Sequence, residues 1–150
     1  MGTRSRIGVM HGDKLKSVYC HWDGYLDNNG VLLRDNYTDP FKVQRMMDLG
    51  DMSSLRKDIG EKHAFSHFDL PVSEIEAFEK LTENMCTFYG RDRGEEGTQR
   101  KRFADFSDYK KEHQYEEYEY ILRTDGKWYV SDHGGDYKLL VIELAEEALV

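Results

Sequence analysis

Two stretches of alternating hydrophobic and polar residues lie near the two ends of the chain, and a glycine-containing turn interrupts each. The four strands of these two stretches are predicted over residues 4–10, 15–22, 117–123 and 128–131, and a short apolar run predicts a further strand over residues 85–89. Alternation puts every second side chain on one face of a strand, and Asp125-Gly126 between two such runs is a strong hairpin signal. Because an isolated hairpin is marginal in water, we expect both hairpins to belong to one antiparallel sheet.

The hydrophobic period changes to a helical one between the two hairpins. Asp39-Pro40 combines an N-cap residue with a favoured first helical residue, and Gly50 stands where a C-terminal cap belongs. Helices are predicted over residues 30–37, 40–49, 74–83, 108–114 and 144–149, and polar loops over residues 59–70 and 90–102. The pattern predicts a single α+β domain, in which an antiparallel sheet built from the two hairpins carries helices on one face.

Composition supports a folded domain and narrows the choice of partners. Of the 150 residues, 39% are hydrophobic and 13% aromatic, which is too many for a disordered chain. The net charge of −8 repels nucleic-acid phosphates, so we expect no direct binding to nucleic acid. The start of the chain lacks a signal-peptide pattern and no apolar run is long enough to span a membrane. We therefore expect a cytoplasmic protein with free thiols at Cys20 and Cys86.

Residues 21–25 bring histidine, tryptophan, aspartate, glycine and tyrosine together at the end of a predicted strand. While the strand continues, His21 and Asp23 share one face and Trp22 lies on the other. We expect Trp22 to pack in the core, and the alternative is that it stacks on a ligand at the surface. Together with Tyr25, these side chains could contact a polar ligand, or they could simply fix the turn at Gly24. A third alternative is acid–base chemistry by His21 and Asp23, as in a small hydrolase.

A glycine-flanked segment at residues 89–94 contains two arginines. Guanidinium groups match phosphate or carboxylate, and glycine lets a backbone approach closely. Tyr89, Arg91 and Arg93 are therefore predicted to form an anion site. The alternative is a solvated loop, in which Asp92 and the following glutamates neutralise the arginines.

A metal site and a cofactor site are not predicted. His63, His67 and Asp69 are close in sequence, but the stretch has no helical period and supplies no obvious fourth ligand. Neither a dinucleotide fingerprint nor a nucleophile elbow is present. We therefore assign no catalytic residue and expect no metal and no cofactor.

Several segments resemble a family of short proteins from tailed phages and bacterial genomes. They are residues 1–8 (MGTRSRIG), 18–25 (VYCHWDGY), 49–55 (LGDMSSL), 59–63 (IGEKH) and 88–95 (FYGRDRGE). The resemblance covers most of the chain and implies a setting rather than a catalytic residue. It implies a phage accessory protein, made in the cytoplasm of a bacterial host, that counteracts a host defence by association with a signal molecule or a host protein.

These observations lead to one functional hypothesis and two alternatives. The hypothesis is a binding protein for a small, anionic, nucleotide-like molecule, which the aromatic side chains stack against and the arginines contact. The predicted ligand-binding residues are His21, Trp22, Asp23, Tyr25, Tyr89, Arg91 and Arg93. The alternatives are an acidic inhibitor of a host protein and the small hydrolase. A homo-oligomer is compatible with all three.

Overall fold

The computed structural model describes residues 3–103, 106–112 and 116–148. These residues form eight strands and six α-helices, together with a π-helical turn at Leu26–Gly30 and a 3-10 turn at His67–Asp69. The strands are β1 (Ser5–His11), β2 (Lys14–Cys20), β3 (Met52–Ser54), β4 (Thr87–Phe88), β5 (Lys101–Phe103), β6 (Tyr118–Leu122), β7 (Trp128–Asp132) and β8 (Lys138–Leu139). The helices are α1 (Val31–Asn36), α2 (Pro40–Leu49), α3 (Val72–Thr82), α4 (Tyr89–Arg93), α5 (Phe106–Glu112) and α6 (Leu140–Ala148).

All eight strands belong to one sheet, in the order β4-β3-β2-β1-β6-β7-β8, with β5 also paired to β2. Both predicted hairpins are present, as β1–β2 and β6–β7, so the α+β prediction is confirmed. The hairpins meet through a parallel pairing of β1 with β6, which aligns Ser5 with Tyr118. The β2–β3 pair is also parallel, so the sheet is mixed rather than purely antiparallel.

Hydrophobic side chains cover both faces of this sheet to different extents. The larger core contains Ile7, Val18 and Tyr120 from the strands, and α1, α2 and α6 add further side chains to it. The strand residues of opposite parity point to the other face, where Leu15 and Ile121 form a smaller core with Tyr109 of α5. Helices therefore lie on both faces, with α1, α2 and α6 on the first and α5 on the second.

The local signals around α2 behave as predicted. The helix spans Pro40–Leu49, and the Asp39 carboxylate accepts a hydrogen bond from the Phe41 amide at 2.9 Å. At its end Gly50 adopts a φ of 87°, and the next amide, that of Asp51, donates to the Thr98 carbonyl at 2.7 Å. The end of α2 is therefore held closely against the chain around Thr98.

Other segments differ from their predictions in extent or type. The composition of residues 50–55 predicts a turn, but this segment contains β3, and the predicted loop at 90–102 contains most of α4 and the start of β5. These elements are three to five residues long, which is too short for a hydrophobic period to reveal them. The predicted ends of the helices at 108–114 and 144–149 lie outside the described residues. Within the described residues, every helix is too short or too polar to cross a membrane.

The close approach at Gly50 predicts a stability difference between two glycine substitutions. Gly50→Ala and Gly126→Ala both place a side chain at positive φ, at 87° and 78°. A Cβ at Gly50 would also lie 2.3 Å from the Thr98 carbonyl oxygen, whereas one at Gly126 meets nothing within 4 Å. We expect Gly50→Ala to lower the free energy of unfolding by about 1–3 kcal/mol more than Gly126→Ala. Urea denaturation measures both, and equal losses would contradict the close approach.

Candidate functional site

The motif at residues 21–25 begins where β2 ends. The chain runs beside β3 for two more residues, because the amides of His21 and Trp22 donate to the carbonyls of Met52 and Ser53 at 3.1 and 3.0 Å. Asp23 then takes a left-handed backbone conformation with φ 56°, and the chain turns away from the sheet. The motif therefore lies at the end of a strand, as predicted. β2 itself ends at Cys20, and the amides of His21 and Trp22 remain hydrogen-bonded to β3.

Trp22 lies at the surface, so its predicted place in the core is wrong. Its side chain is 44% exposed and meets the His21 ring edge-on, with 4.7 Å between ring centroids. The alternation of side chains along β2 points Cys20 into the core, but β2 ends at Cys20 and the alternation does not extend to Trp22. The buried tryptophan is Trp128, which is 6% exposed and donates from Nε1 to the Tyr37 carbonyl at 3.0 Å.

The two tryptophans are therefore expected to contribute very differently to stability. Trp128→Ala should lower the free energy of unfolding by about 3–5 kcal/mol, as large aromatic truncations in cores do. Trp22→Ala should lower it by about 1 kcal/mol or less, because the side chain is already largely in water. Thermal and urea unfolding of the two variants compare them directly. A loss at Trp22 as large as that at Trp128 would contradict the exposed position.

The structure pairs His21 with a tyrosine rather than with Asp23. His21 Nδ1 lies 2.7 Å from the Tyr19 hydroxyl, and in the described part of the chain no hydrogen bond or ion pair joins His21 to Asp23. The acid–base pair that a hydrolase would need is therefore not formed. Tyr25 is 39% exposed and starts the π-helical turn, where its carbonyl accepts hydrogen bonds from the amides of Asn28 and Asn29.

Strand pairing brings a set of polar and aromatic side chains to one face of the sheet. Tyr19 on β2 donates its amide to Asp51 Oδ1 at 2.9 Å, and the Tyr89 amide donates to the Asp51 carbonyl at 3.2 Å. This face is opposite to the one where Cys20, Met52 and Phe88 join the larger core. We call this set of five residues the Tyr19–Tyr89 surface: Tyr19, His21, Asp51, Ser53 and Tyr89.

Burial and neighbouring charges set the protonation of this surface. Burial raises the pKa of Tyr19 to about 12, while the nearby Arg4 opposes that rise. Burial also raises the pKa of Tyr89, and its hydrogen bond with Ser53 and the charge of Arg93 work against the rise. Both phenols therefore keep their protons at neutral pH and remain hydrogen-bond donors. An arginine lies near each of them.

Arg91 is a structural residue, in contrast to the anion site predicted for it. The guanidinium donates from Nη1 to the Ile59 and Gly60 carbonyls and from Nη2 to the Cys86 carbonyl, each at 3.0 Å. Nε and Nη2 also bind the two oxygens of Asp92 at 3.0 and 3.2 Å. These contacts use all five N–H groups, so Arg91 has none left for a ligand.

Arg93 occupies a very different environment on the same short helix. Residues separated by two positions in an α-helix are rotated about 200° around its axis, so Arg93 points away from Arg91. Its side chain is 56% exposed, and its guanidinium carbon lies 4.9 Å from the centre of the Phe65 ring. Phe65 in turn packs against Tyr89, with centroids 5.6 Å apart. Arg93 therefore extends the Tyr19–Tyr89 surface.

This contrast predicts very different effects on stability for alanine substitutions at the two arginines. Arg91→Ala leaves the fully buried Asp92 carboxylate without its cation and should destabilise the protein by about 3–5 kcal/mol. Arg93→Ala should change stability by no more than about 0.5 kcal/mol, because the side chain is exposed. Melting temperatures of the two variants distinguish the roles. Similar values for both would contradict the structural assignment of Arg91.

The three residues considered for a metal have separate partners. The ring nitrogens of His63 face the carbonyls of Ala64 and Cys86 at 2.8 and 3.0 Å. His67 lies 3.8 Å from Glu79, and Asp69 caps a 3-10 turn through the Ser66 amide. Within residues 3–103, 106–112 and 116–148, no group of three such side chains could hold a metal ion.

Sequence reasoning did not include Tyr19, Asp51, Ser53 or Arg4 in the site. Tyr19 could have been included from the sequence, because it lies two positions before His21 and residues two apart in a strand share a face. The others are recognised only through pairing between distant strands. Comparisons with protein-family models, curated proteins and solved structures found no match.

Proposed function

We propose that the protein is a non-enzymatic binding protein for a small, anionic, nucleotide-like ligand, held at the Tyr19–Tyr89 surface. The observation that carries this proposal is the combination of half-buried aromatic rings with an exposed arginine near each of the two tyrosines. The rings would stack on a base or another flat group, and the arginines would contact phosphate oxygens.

The aromatic residues supply adaptable contacts. Tyr89 and Phe65 form one ring pair and His21 and Trp22 another, and these side chains are only partly buried. Base stacking on such rings contributes about 1–3 kcal/mol per base and tolerates different bases. The hydroxyls of Tyr19 and Tyr89 add hydrogen-bond donors beside the rings.

The two arginines are only loosely neutralised by their neighbours. Arg4 Nε lies 3.8 Å from a Glu117 oxygen, and Arg93 Nε lies 4.0 Å from a Glu95 oxygen. Both distances exceed that of a hydrogen bond, and the side chains are 48% and 56% exposed. Their N–H groups can therefore turn toward a phosphate, which guanidinium binds in a bidentate manner.

The biological setting is part of the same proposal and rests on association. The segments that resemble the phage family contain β3 and α4 and parts of β1, β2 and β4, and these strands belong to one sheet. A phage protein that binds a nucleotide-like molecule in the bacterial cytoplasm would act by removing a defence signal from the host. This part of the proposal depends on the resemblance and not on the geometry.

One observation favours the protein-binding alternative. Helix α3 has no buried residue: Val72, its first residue, is 87% exposed, and Phe68 in the turn before it is 85% exposed. The helix also carries glutamates, including Glu76 and Glu79, on its exposed surface. An acidic, partly apolar helix of this kind suits contact with a basic protein surface.

Calorimetric titration with a panel of cyclic and linear nucleotides tests the ligand proposal. Wild type is expected to bind at least one member of the panel, and the Arg4→Ala, Arg93→Ala double variant to bind it about a hundredfold or more weakly. This estimate takes about 1.5–3 kcal/mol for each lost charge-assisted hydrogen bond. Arg123→Ala is the control, because Arg123 follows β6 at the opposite end of the sheet.

The possible outcomes separate the hypotheses. If wild type binds none of the nucleotides, the ligand proposal is abandoned in favour of the protein-binding alternative. Binding that survives the double substitution retains the ligand but removes it from this surface. Because the double variant removes two charges and Arg123→Ala removes one, a loss of binding free energy in Arg123→Ala that is half the loss in the double variant would indicate an effect of net charge alone.

A further inference from the structure

A second candidate site lies at the opposite end of the sheet, beside the turn of the C-terminal hairpin. A groove of about 340 Å³ runs between that turn, the chain joining α1 to α2 and the first residues of α6. Its volume falls at the lower end of the range for small-molecule sites. We call it the Trp128 groove, after the residue at its base. It is independent of the proposed nucleotide-like ligand.

The base and one wall of the Trp128 groove are apolar. Trp128 and Leu140 are almost fully buried, while Val141 on α6 remains 57% exposed at the wall. The Trp128 indole already donates its only N–H to the Tyr37 carbonyl, so it offers a ligand no hydrogen bond. An occupant must therefore have an apolar part that packs on the indole and the aliphatic side chains.

The rim of the groove carries positive charge. Arg34 and Lys127 line it, and none of its lining residues is acidic, although the chain as a whole is acidic. Arg34 is already paired with Asp35 at 2.7 and 3.1 Å. The exposed Lys127 ammonium therefore supplies the charge that an occupant would meet. The nearby Asp125 carboxylate keeps its negative charge but does not line the groove, and its two oxygens accept from the Lys127 amide and the Tyr129 hydroxyl.

From these observations we propose that the Trp128 groove binds a small amphipathic anion. The apolar tail would lie on Trp128 and Val141, and a carboxylate or similar head group would lie beside Lys127. Charge complementarity selects an anion over a neutral or cationic amphiphile. The small volume of the groove selects a short tail over a long lipid chain.

NMR titration of the intact protein with octanoate and with 1-octanol tests this proposal. The two probes share the tail length and differ in charge. Octanoate is expected to shift the methyl signals of Leu139, Leu140 and Val141 and to bind more tightly than 1-octanol. Lys127→Gln should weaken octanoate binding about two- to fivefold, which is typical for one exposed ion pair, and leave 1-octanol binding unchanged. Lys14→Gln, at an exposed lysine of the other hairpin, is the charge-matched control.

A second variant tests the apolar wall. Val141→Asp places a carboxylate where the apolar tail would lie, and it has the same charge as the octanoate head group. Because position 141 is exposed, the fold should persist while octanoate binding is lost. Equal binding of octanoate and 1-octanol, or equal effects of Lys127→Gln and Lys14→Gln, would overturn the proposal. So would the absence of methyl shifts at saturating probe, or shifts that depend on protein concentration and thereby indicate self-association at this groove.

Discussion

The buried carboxylate of Asp92 needs hydrogen-bond donors and a cation around it, and the contacts that supply them hold α4, which carries part of the candidate site. The Asp92 side chain is fully buried and accepts hydrogen bonds from the amides of Phe88 and His63 at 2.8 and 3.0 Å, in addition to Arg91. A buried charge without such partners would cost several kcal/mol. These contacts join β4, α4 and the chain near residue 63 into one unit. Because Tyr89 and Arg93 are the first and last residues of α4, their positions follow from this unit.

The fold was predictable wherever its signals are local. Asp125-Gly126 between two alternating runs and Asp39-Pro40 before a helical period each indicate one structure, and both are found. The parallel pairing of β1 with β6 has no such signal, because it joins residues more than a hundred positions apart. Strand β3 has only three residues, so it depends on pairing with its neighbours rather than on its own period, whereas the apolar run at residues 85–89 does indicate β4.

The candidate site was predictable only as far as strand parity holds. Parity correctly separates His21 from Cys20, but it fails for Trp22, because the strand has ended and the tryptophan is exposed. In the same way Arg91 and Arg93 look equivalent in a glycine-flanked segment. In the structure Arg91 donates to a buried carboxylate and three backbone carbonyls, whereas the Arg93 guanidinium lies over the Phe65 ring. Such differences arise from distant residues.

The net charge of −8 therefore says little about where an anion can bind. Some cations are buried and occupied inside the protein: Arg91 with Asp92, and Arg6 with Ser17 and Glu116. Others, such as Arg4 and Arg93, are exposed and held by carboxylates only beyond hydrogen-bond distance. The first group contributes to folding, and the second contributes to the local electrostatic potential at the surface. Salt limits the range of that potential to about 10 Å at moderate ionic strength. Because different arginines serve the two purposes, an acidic chain can maintain attractive sites for anions without weakening its fold.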